Sequence, residues 1–208
     1  MRLRHRRHLA RPAALAWPLF AAGLALLALG LQAGSPAWPD PRWDWQPTLA
    51  FQQPWRWWTA AGAHWSPQHL RMNLVGCGLL AWLGWRAGLG PRATLAWALA
   101  WPLTQLGLLL QPALAHYGGL SGVLHAGIAV LDIWLLQGPA RDKRLGLALA
   151  AGLLLKLMSE QAWTGPAHAV AGWDFPLAPL AHVSGAMAGW LCGAALLRRP
   201  RRPPPVAE

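Results

Sequence analysis

The chain has 208 residues, of which 55% are apolar and only 12% charged, with a formal net charge of +11. A soluble domain carries about twice that charged fraction, so an ordinary water-facing surface is excluded. The basic excess is not a nucleic-acid face either, because fourteen of the eighteen Lys and Arg residues flank apolar runs: Arg2, Arg4, Arg6, Arg7 and Arg11 at one end, Arg198, Arg199, Arg201 and Arg202 at the other, and Arg86, Arg92, Arg141, Lys143 and Arg144 in two short hinges.

Crossing the hydrocarbon core takes roughly 17–25 apolar residues in a helix. The first apolar run, Ala13–Leu31, follows five arginines and could pass for a signal sequence. At about 19 residues it is too long for a signal's apolar stretch and is read as an uncleaved first span. Further spans are predicted at about 69–85, 93–111, 120–137, 144–161 and 180–197, with the first at about 13–32. The predicted fold is therefore an all-α, six-helix transmembrane bundle over residues 13–197. It follows a basic arm at 1–12 and precedes a basic, proline-rich tail at 198–208 that should lack regular structure.

Both termini and the two hinges then share one side, which the positive charge assigns to the cytoplasm. Segments 33–68, 112–119 and 162–179 fall outside. The first holds Trp38, Trp43, Trp45, Trp55, Trp57, Trp58 and Trp65, together with prolines 36, 39, 41, 47 and 54, which break any long helix. It reads as a compact loop lying half in the interface, where the indole N–H stays wet and the ring meets lipid. Cys77 and Cys192 lie in apolar runs and read as buried free thiols, with a disulfide between them as the alternative.

Polar groups within apolar spans are expensive, which makes each a functional candidate. They are His69, Asn73, Ser121, His125, Asp132, Lys156, Glu160 and His182. His69 opens the second span, with Asn73 about 6 Å deeper on the same face. Ser121 opens the fourth span and His182 the sixth, so four polar groups from three spans converge at one depth. A serine becomes a nucleophile when a histidine can take its proton. Glycines 118, 119 and 122 around Ser121, and the stripe Gly185, Gly189 and Gly193 behind His182, would let the two spans approach closely. The unpaired N–H groups at the start of the fourth span, with the His69 and Asn73 side chains, are candidate donors for an oxyanion.

Each residue also has a plainer reading. His69 could be an interfacial cap, Asn73 a helix–helix hydrogen bond, and the glycine stripe ordinary packing. His125, four residues after Ser121, is a second candidate base. Lys156 and Glu160 are either an i,i+4 ion pair or groups that meet an incoming substrate. Asp132 lies about three turns below Ser121, too deep to serve it.

The arrangement resembles the rhomboid family of intramembrane serine proteases. The matching residues are Trp55-Arg56 in the first outer segment, His64…His69-xxx-Asn73 at the second span, G-x-S-G at Gly119–Gly122, and H-x-x-G-x-x-x-G at His182–Gly189. They stand in family order over about residues 50–195. G-x-S-G alone would carry little, since soluble hydrolases use similar elbows. The resemblance implies Ser121 as nucleophile, His182 as general base, His69 and Asn73 in the oxyanion hole, and Trp55 and Arg56 holding a loop that wedges into the membrane. One departure is His125, which stands where many rhomboids carry a tyrosine packed on the catalytic histidine.

The small size, the stretch Gly119–His125 and Lys156-xxx-Glu160-Gln161 are similar to the rhombosortase subgroup. That likeness implies a substrate anchored by a C-terminal sorting tail, with a Gly-Gly motif, a transmembrane helix and a basic end. Cleavage would occur near the outer surface of a bacterial-type plasma membrane, with substrate entering beside the fifth span. Hydrolysis and acyl transfer both stay open, as does the oligomeric state. No cofactor, metal or nucleic acid is expected. An alternative is a catalytically inactive relative that serves transmembrane clients as receptor or chaperone; such proteins usually lack the serine or the histidine. A metal-binding or transport role for His64, His69, His125 and His182 lacks a carboxylate or thiol to complete a familiar ligand set.

Overall fold

A computed structural model describes residues 15–35 and 37–197. The basic arm at 1–12 and the tail at 198–208 lie outside the described residues. Among the described residues there are seven α-helices and no strand: α1 Ala16–Ala33, α2 Arg56–Thr59, α3 Pro67–Ala87, α4 Pro91–Leu106, α5 Ser121–Leu136, α6 Ala140–Ser159 and α7 Pro179–Leu196. The fold is all-α. The six long helices fall within a few residues of the six predicted spans, and α2 is a single turn inside the tryptophan-rich segment.

Local chemistry explains the ends. Proline opens α3, α4 and α7 at positions where a missing N–H removes no helical bond. Ser66 caps α3 by accepting from the His69 N–H at 3.1 Å. Gly88 ends α3 in the left-handed conformation, with φ at 71°.

Two helices, α1 and α4 with its 3-10 extension (together Pro91–Leu110), are long and apolar enough to cross a membrane. The apolar α5 has 16 residues, short of a full span. The remaining long helices differ from the six uniform apolar spans expected because polar residues dilute them. Helix α3 opens with Gln68, His69, Arg71 and Asn73; α6 begins with Arg141–Arg144 and ends near Lys156; α7 carries His182, Ser184 and three glycines. Several of these side chains turn inward: His69, Asn73 and His182 are all buried. Average composition therefore understates how apolar the outer faces are. Leu19, Leu26, Val75, Leu79, Leu155 and Leu191 all stand exposed.

The interior is built from small residues around a few large rings. Ala21 and Ala28 of α1, Ala93, Ala96 and Ala100 of α4, and Val123 and Ala126 of α5 pack about Trp17 and Trp97. The N–H groups of these two rings are satisfied: Trp17 donates to the Leu80 carbonyl at 2.8 Å and Trp97 to the Val123 carbonyl at 2.7 Å. Helix α5 is central, packed on α3, α4, α6 and most extensively on α7. Cys77 is buried and Cys192 half-buried; both are free, so the disulfide alternative does not form.

The segment between α1 and α3 is folded onto the bundle rather than spread as a simple belt. Arg56, only 4% exposed, donates to the Asp44 carbonyl at 2.6 Å, the Asp44 carboxylate at 3.0 Å, the Pro41 carbonyl at 2.9 Å and Gln53 at 2.7 Å. The second Asp44 oxygen meets His116 Nδ1 at 2.6 Å. Trp45 and Tyr117 exchange backbone bonds of 2.6 and 2.9 Å. Trp45 is thus fully buried, a correction to its expected interfacial place, whereas Trp38, Trp55 and Trp58 are exposed. Its backbone pairs with Tyr117 in the lead-in to α5, and its ring packs in a cluster with Ala50, Ala60, Leu108 and Ala181.

Candidate active site

Ser121 is the first residue of α5, and its position is set by the glycines before it. Gly119 has φ of +129°, a region that L side chains rarely adopt. Its N–H donates to the Ala60 carbonyl at 2.9 Å, and its carbonyl accepts from the Tyr117 hydroxyl at 3.2 Å. A Cβ at Gly119 would lie 2.7 Å from His69 Nε2 and 3.6 Å from Asn73 Nδ2. The absent side chain is what lets those two groups approach the backbone beside the serine.

His182 reaches the serine because α7 meets α5 backbone to backbone. A methyl at Gly185 would collide with the Gly122 carbonyl oxygen, and one at Gly189 with that of Ala126. Gly122 itself faces the Ala181 carbonyl, where a Cβ would sit at 2.8 Å. The Ser184 hydroxyl pins α7 to the Thr104 carbonyl at 2.8 Å. With the helices this close, His182 Nε2 stands 2.9 Å from Ser121 Oγ.

The second candidate base is placed differently. His125 Nδ1 donates to the Ser121 carbonyl at 2.7 Å, and its ring stacks on His182 with centroids 4.2 Å apart and planes 11° apart. It packs on the His182 imidazole and forms no bond to the hydroxyl.

His69 and Asn73 are arranged as donors. The Trp65 N–H donates to His69 Nδ1 at 3.4 Å, which leaves the ring proton on Nε2, the nitrogen facing Gly119. Asn73 Nδ2 is buried with no partner among the described residues. Phe175 stacks on His69 at 4.0 Å, and His64 meets its edge at 4.9 Å. His64, in the loop before α3, is pushed down to about 4 by burial and is neutral near pH 7; its Nδ1–H donates to the Gly62 carbonyl at 3.0 Å.

Glu160 carries the finding that sequence reasoning missed. Its Oε1 pairs with Lys156, as one of the two sequence readings expected. Its Oε2 lies 2.6 Å from His182 Nδ1, so each carboxylate oxygen already has a partner. The signal was present: this acid sits at the outer end of a span, at the depth of His182. Lys156, half exposed, stays accessible. Trp55 is exposed at the start of α2, and Arg56 is buried in its loop network. Asp132 accepts from the Trp190 indole at 3.1 Å, deep in the bundle and away from this cluster.

A cavity of about 480 Å³ opens onto the pair, lined by Met72, Asn73, Ser121, Leu124, Ile128, Lys156 and Trp173 among others. A smaller one of about 60 Å³ lies between Ser121, His69, Tyr117 and Leu177. The segment after α6 roofs the site. Ser66 donates to Asp174 at 2.6 Å, and Gln68 donates to the Gly172 carbonyl at 2.9 Å. Among the described residues no three of His, Cys, Asp and Glu are grouped to hold a metal ion.

No protein-family model matches the sequence, and no curated protein matches it. The site brings together a hydroxyl bonded to an imidazole, two buried donors beside it, and a largely apolar cavity alongside.

Proposed function

We propose that the chain is an intramembrane serine endopeptidase of rhomboid type, a six-span bundle whose site opens toward the outer membrane surface. The observation that carries this reading is the 2.9 Å contact between Ser121 Oγ and His182 Nε2 at the head of a glycine-lined α5–α7 crossing. In water-soluble hydrolases the same contact marks a nucleophile and its base.

The steps follow from the atoms. His182 Nε2 takes the Ser121 proton as Oγ attacks the scissile carbonyl carbon. The oxygen that gains charge is met by the Nε2–H of His69 and the amide of Asn73, donors already in place and shielded from bulk water. His182 then returns the proton to the leaving amine, and the new N-terminus departs. The acyl-enzyme on Ser121 is resolved by water or by another nucleophile, with His182 again as base.

Substrate must lie in extended form to present its carbonyl. A Gly-Gly stretch suits this, since glycine weakens a helix by about 1 kcal/mol per residue. That chemistry supports the finer reading of a rhombosortase-like enzyme acting on a C-terminal sorting tail. The apolar part of the cavity, with Met72, Leu124 and Ile128, would meet the transmembrane portion of that tail.

The test is labelling by a serine-reactive fluorophosphonate in native membranes, alongside cleavage of a reporter with a Gly-Gly motif, a transmembrane helix and a basic end. Wild type should label and cleave, and Ser121→Ala should do neither. Cleavage that persists in Ser121→Ala sinks the proposal. A wild-type chain that binds the reporter, admits a small phosphonate to its cavity and never acylates is instead a receptor.

A further inference from the structure

We infer that Glu160 is a positioning residue for His182, so that the site works as a Ser121–His182–Glu160 relay rather than a dyad. The inference rests on the protease reading above and adds a member to it.

The starting point is the tautomer. A neutral imidazole carries one N–H, and His182 can accept from Ser121 only if that proton is on Nδ1. In the other tautomer Nε2 donates to the serine and cannot take its proton. His182 is buried, so an Nδ1–H without an acceptor would be costly. Glu160 Oε2, at 2.6 Å, is the acceptor that selects the productive form and fixes the ring's rotation. The neighbouring ring of His125 cannot serve, because it lies nearly parallel to His182, with planes 11° apart, and its in-plane lone pair does not point at Nδ1.

The second point is charge. When His182 takes the serine proton it becomes an imidazolium against the ring of His125, in a buried site. A carboxylate on its far nitrogen stabilises that charge as it develops. Glu160 is only 9% exposed, and a buried carboxylate needs its own compensation. Lys156 supplies it at the other oxygen, with a side chain that is 51% exposed and so partly hydrated. The two oxygens are thus divided: one holds the lysine, one holds the histidine. A carboxylate placed only to balance Lys156 would have no reason to meet Nδ1 in hydrogen-bond geometry.

The test is Glu160→Gln in the full chain in detergent or bilayer, with kcat and KM measured on the reporter. A glutamine amide of the same shape can no longer neutralise the imidazolium and can turn its NH₂ toward Nδ1, which favours the wrong tautomer. The expected result is a fall in kcat of about 10⁴-fold with KM within about twofold, the size of loss seen when the third member of such triads is replaced. The downfield proton resonance of an imidazole N–H bonded to a carboxylate should be present in wild type and absent in Glu160→Gln. Because the single variant leaves Lys156 without its partner, the double variant Glu160→Gln/Lys156→Met is measured beside it, with thermal unfolding to confirm that each is folded. A folded single or double variant with kcat within about threefold of wild type overturns the inference and leaves the protease reading intact. If wild type itself neither labels nor cleaves, the protease reading fails first.

Discussion

Adding one methyl group at Gly185 should separate the two helices that hold Ser121 and His182. The Cβ of Gly185→Ala would overlap the Gly122 carbonyl oxygen and lie 2.7 Å from the Gly122 carbonyl carbon. Carbon atoms in contact prefer about 3.5–4.0 Å, so α7 must retreat from α5 by about 1 Å at this level. His182 stands one turn above, and its 2.9 Å bond to Ser121 would open to about 3.9 Å, beyond hydrogen-bond range. A misplacement of that size costs about 10²-fold in rate, and overpacking costs about 1–3 kcal/mol in stability. The measurement is the fluorophosphonate labelling rate of Ser121 together with thermal unfolding in detergent followed by tryptophan fluorescence. Two companions make the comparison sharp. Gly189→Ala meets the Ala126 backbone, with its Cβ 2.8 Å from Cα, but sits about 10 Å below His182; it should lose similar stability and less than tenfold in labelling. Gly78→Ala, with nothing within 4 Å of its Cβ, should match wild type in labelling and equal or exceed it in stability. Wild-type labelling and unfolding in Gly185→Ala would refute the close-approach reasoning.

Two further outcomes follow from the outer loop. Arg56→Ala leaves the fully buried Asp44 carboxylate with only His116 and Gln46 as side-chain partners, so unfolding should become easier by about 3–5 kcal/mol, with faster hydrogen exchange over residues 37–66. A change under about 0.5 kcal/mol would show that the network does not hold the loop. His64 sets a pH dependence. Burial lowers it from 6.5 to about 4, so the unfolded loop takes up a proton that the folded one refuses. Its contribution to stability is complete above about pH 6.5 and is lost as pH falls toward about 4, by roughly 3 kcal/mol at the lower limit. The unfolding midpoint of wild type should therefore drop between pH 7 and pH 4.5 more steeply than that of His64→Gln, and equal slopes would rule His64 out as the source.

Much of this molecule was legible as one-dimensional pattern. Whether a segment is a helix depends on its own composition and its end signals, and runs such as Ala16–Ala33 or Ser121–Leu136 carry both. The basic clusters mark where those runs divide, but the expected hinges at 86–92 and 138–144 shrink to turns at 88–90 and 137–139: Arg86 ends α3, and Arg92 and Arg141–Arg144 stand in the first turns of α4 and α6. Ser121, His182 and His69 were legible too, since each lies at the start of a predicted span, and helix starts on one side share a depth. The glycines at 185 and 189 announced a close approach, because a bare stripe has little other purpose in an apolar helix.

What escaped were the partners across helices and loops. Whether Glu160 faces lipid, Lys156 or His182 depends on how α6 is rotated about its axis, and many packing contacts along the bundle set that angle together. The i,i+4 relation to Lys156 hid the bond to His182 because one carboxylate has two oxygens and makes both contacts. His125 was ambiguous for a related reason: within its own helix the carbonyl of Ser121 lies nearer to Nδ1 than the hydroxyl does, and stacking on His182 needs the neighbouring helix in place. The Asp44–Arg56–His116 cluster and the Trp45–Tyr117 pairing join residues 12 to 72 positions apart in segments without period. Helix positions are a property of each run taken alone, but the direction in which a side chain points at its partner belongs to the assembled bundle.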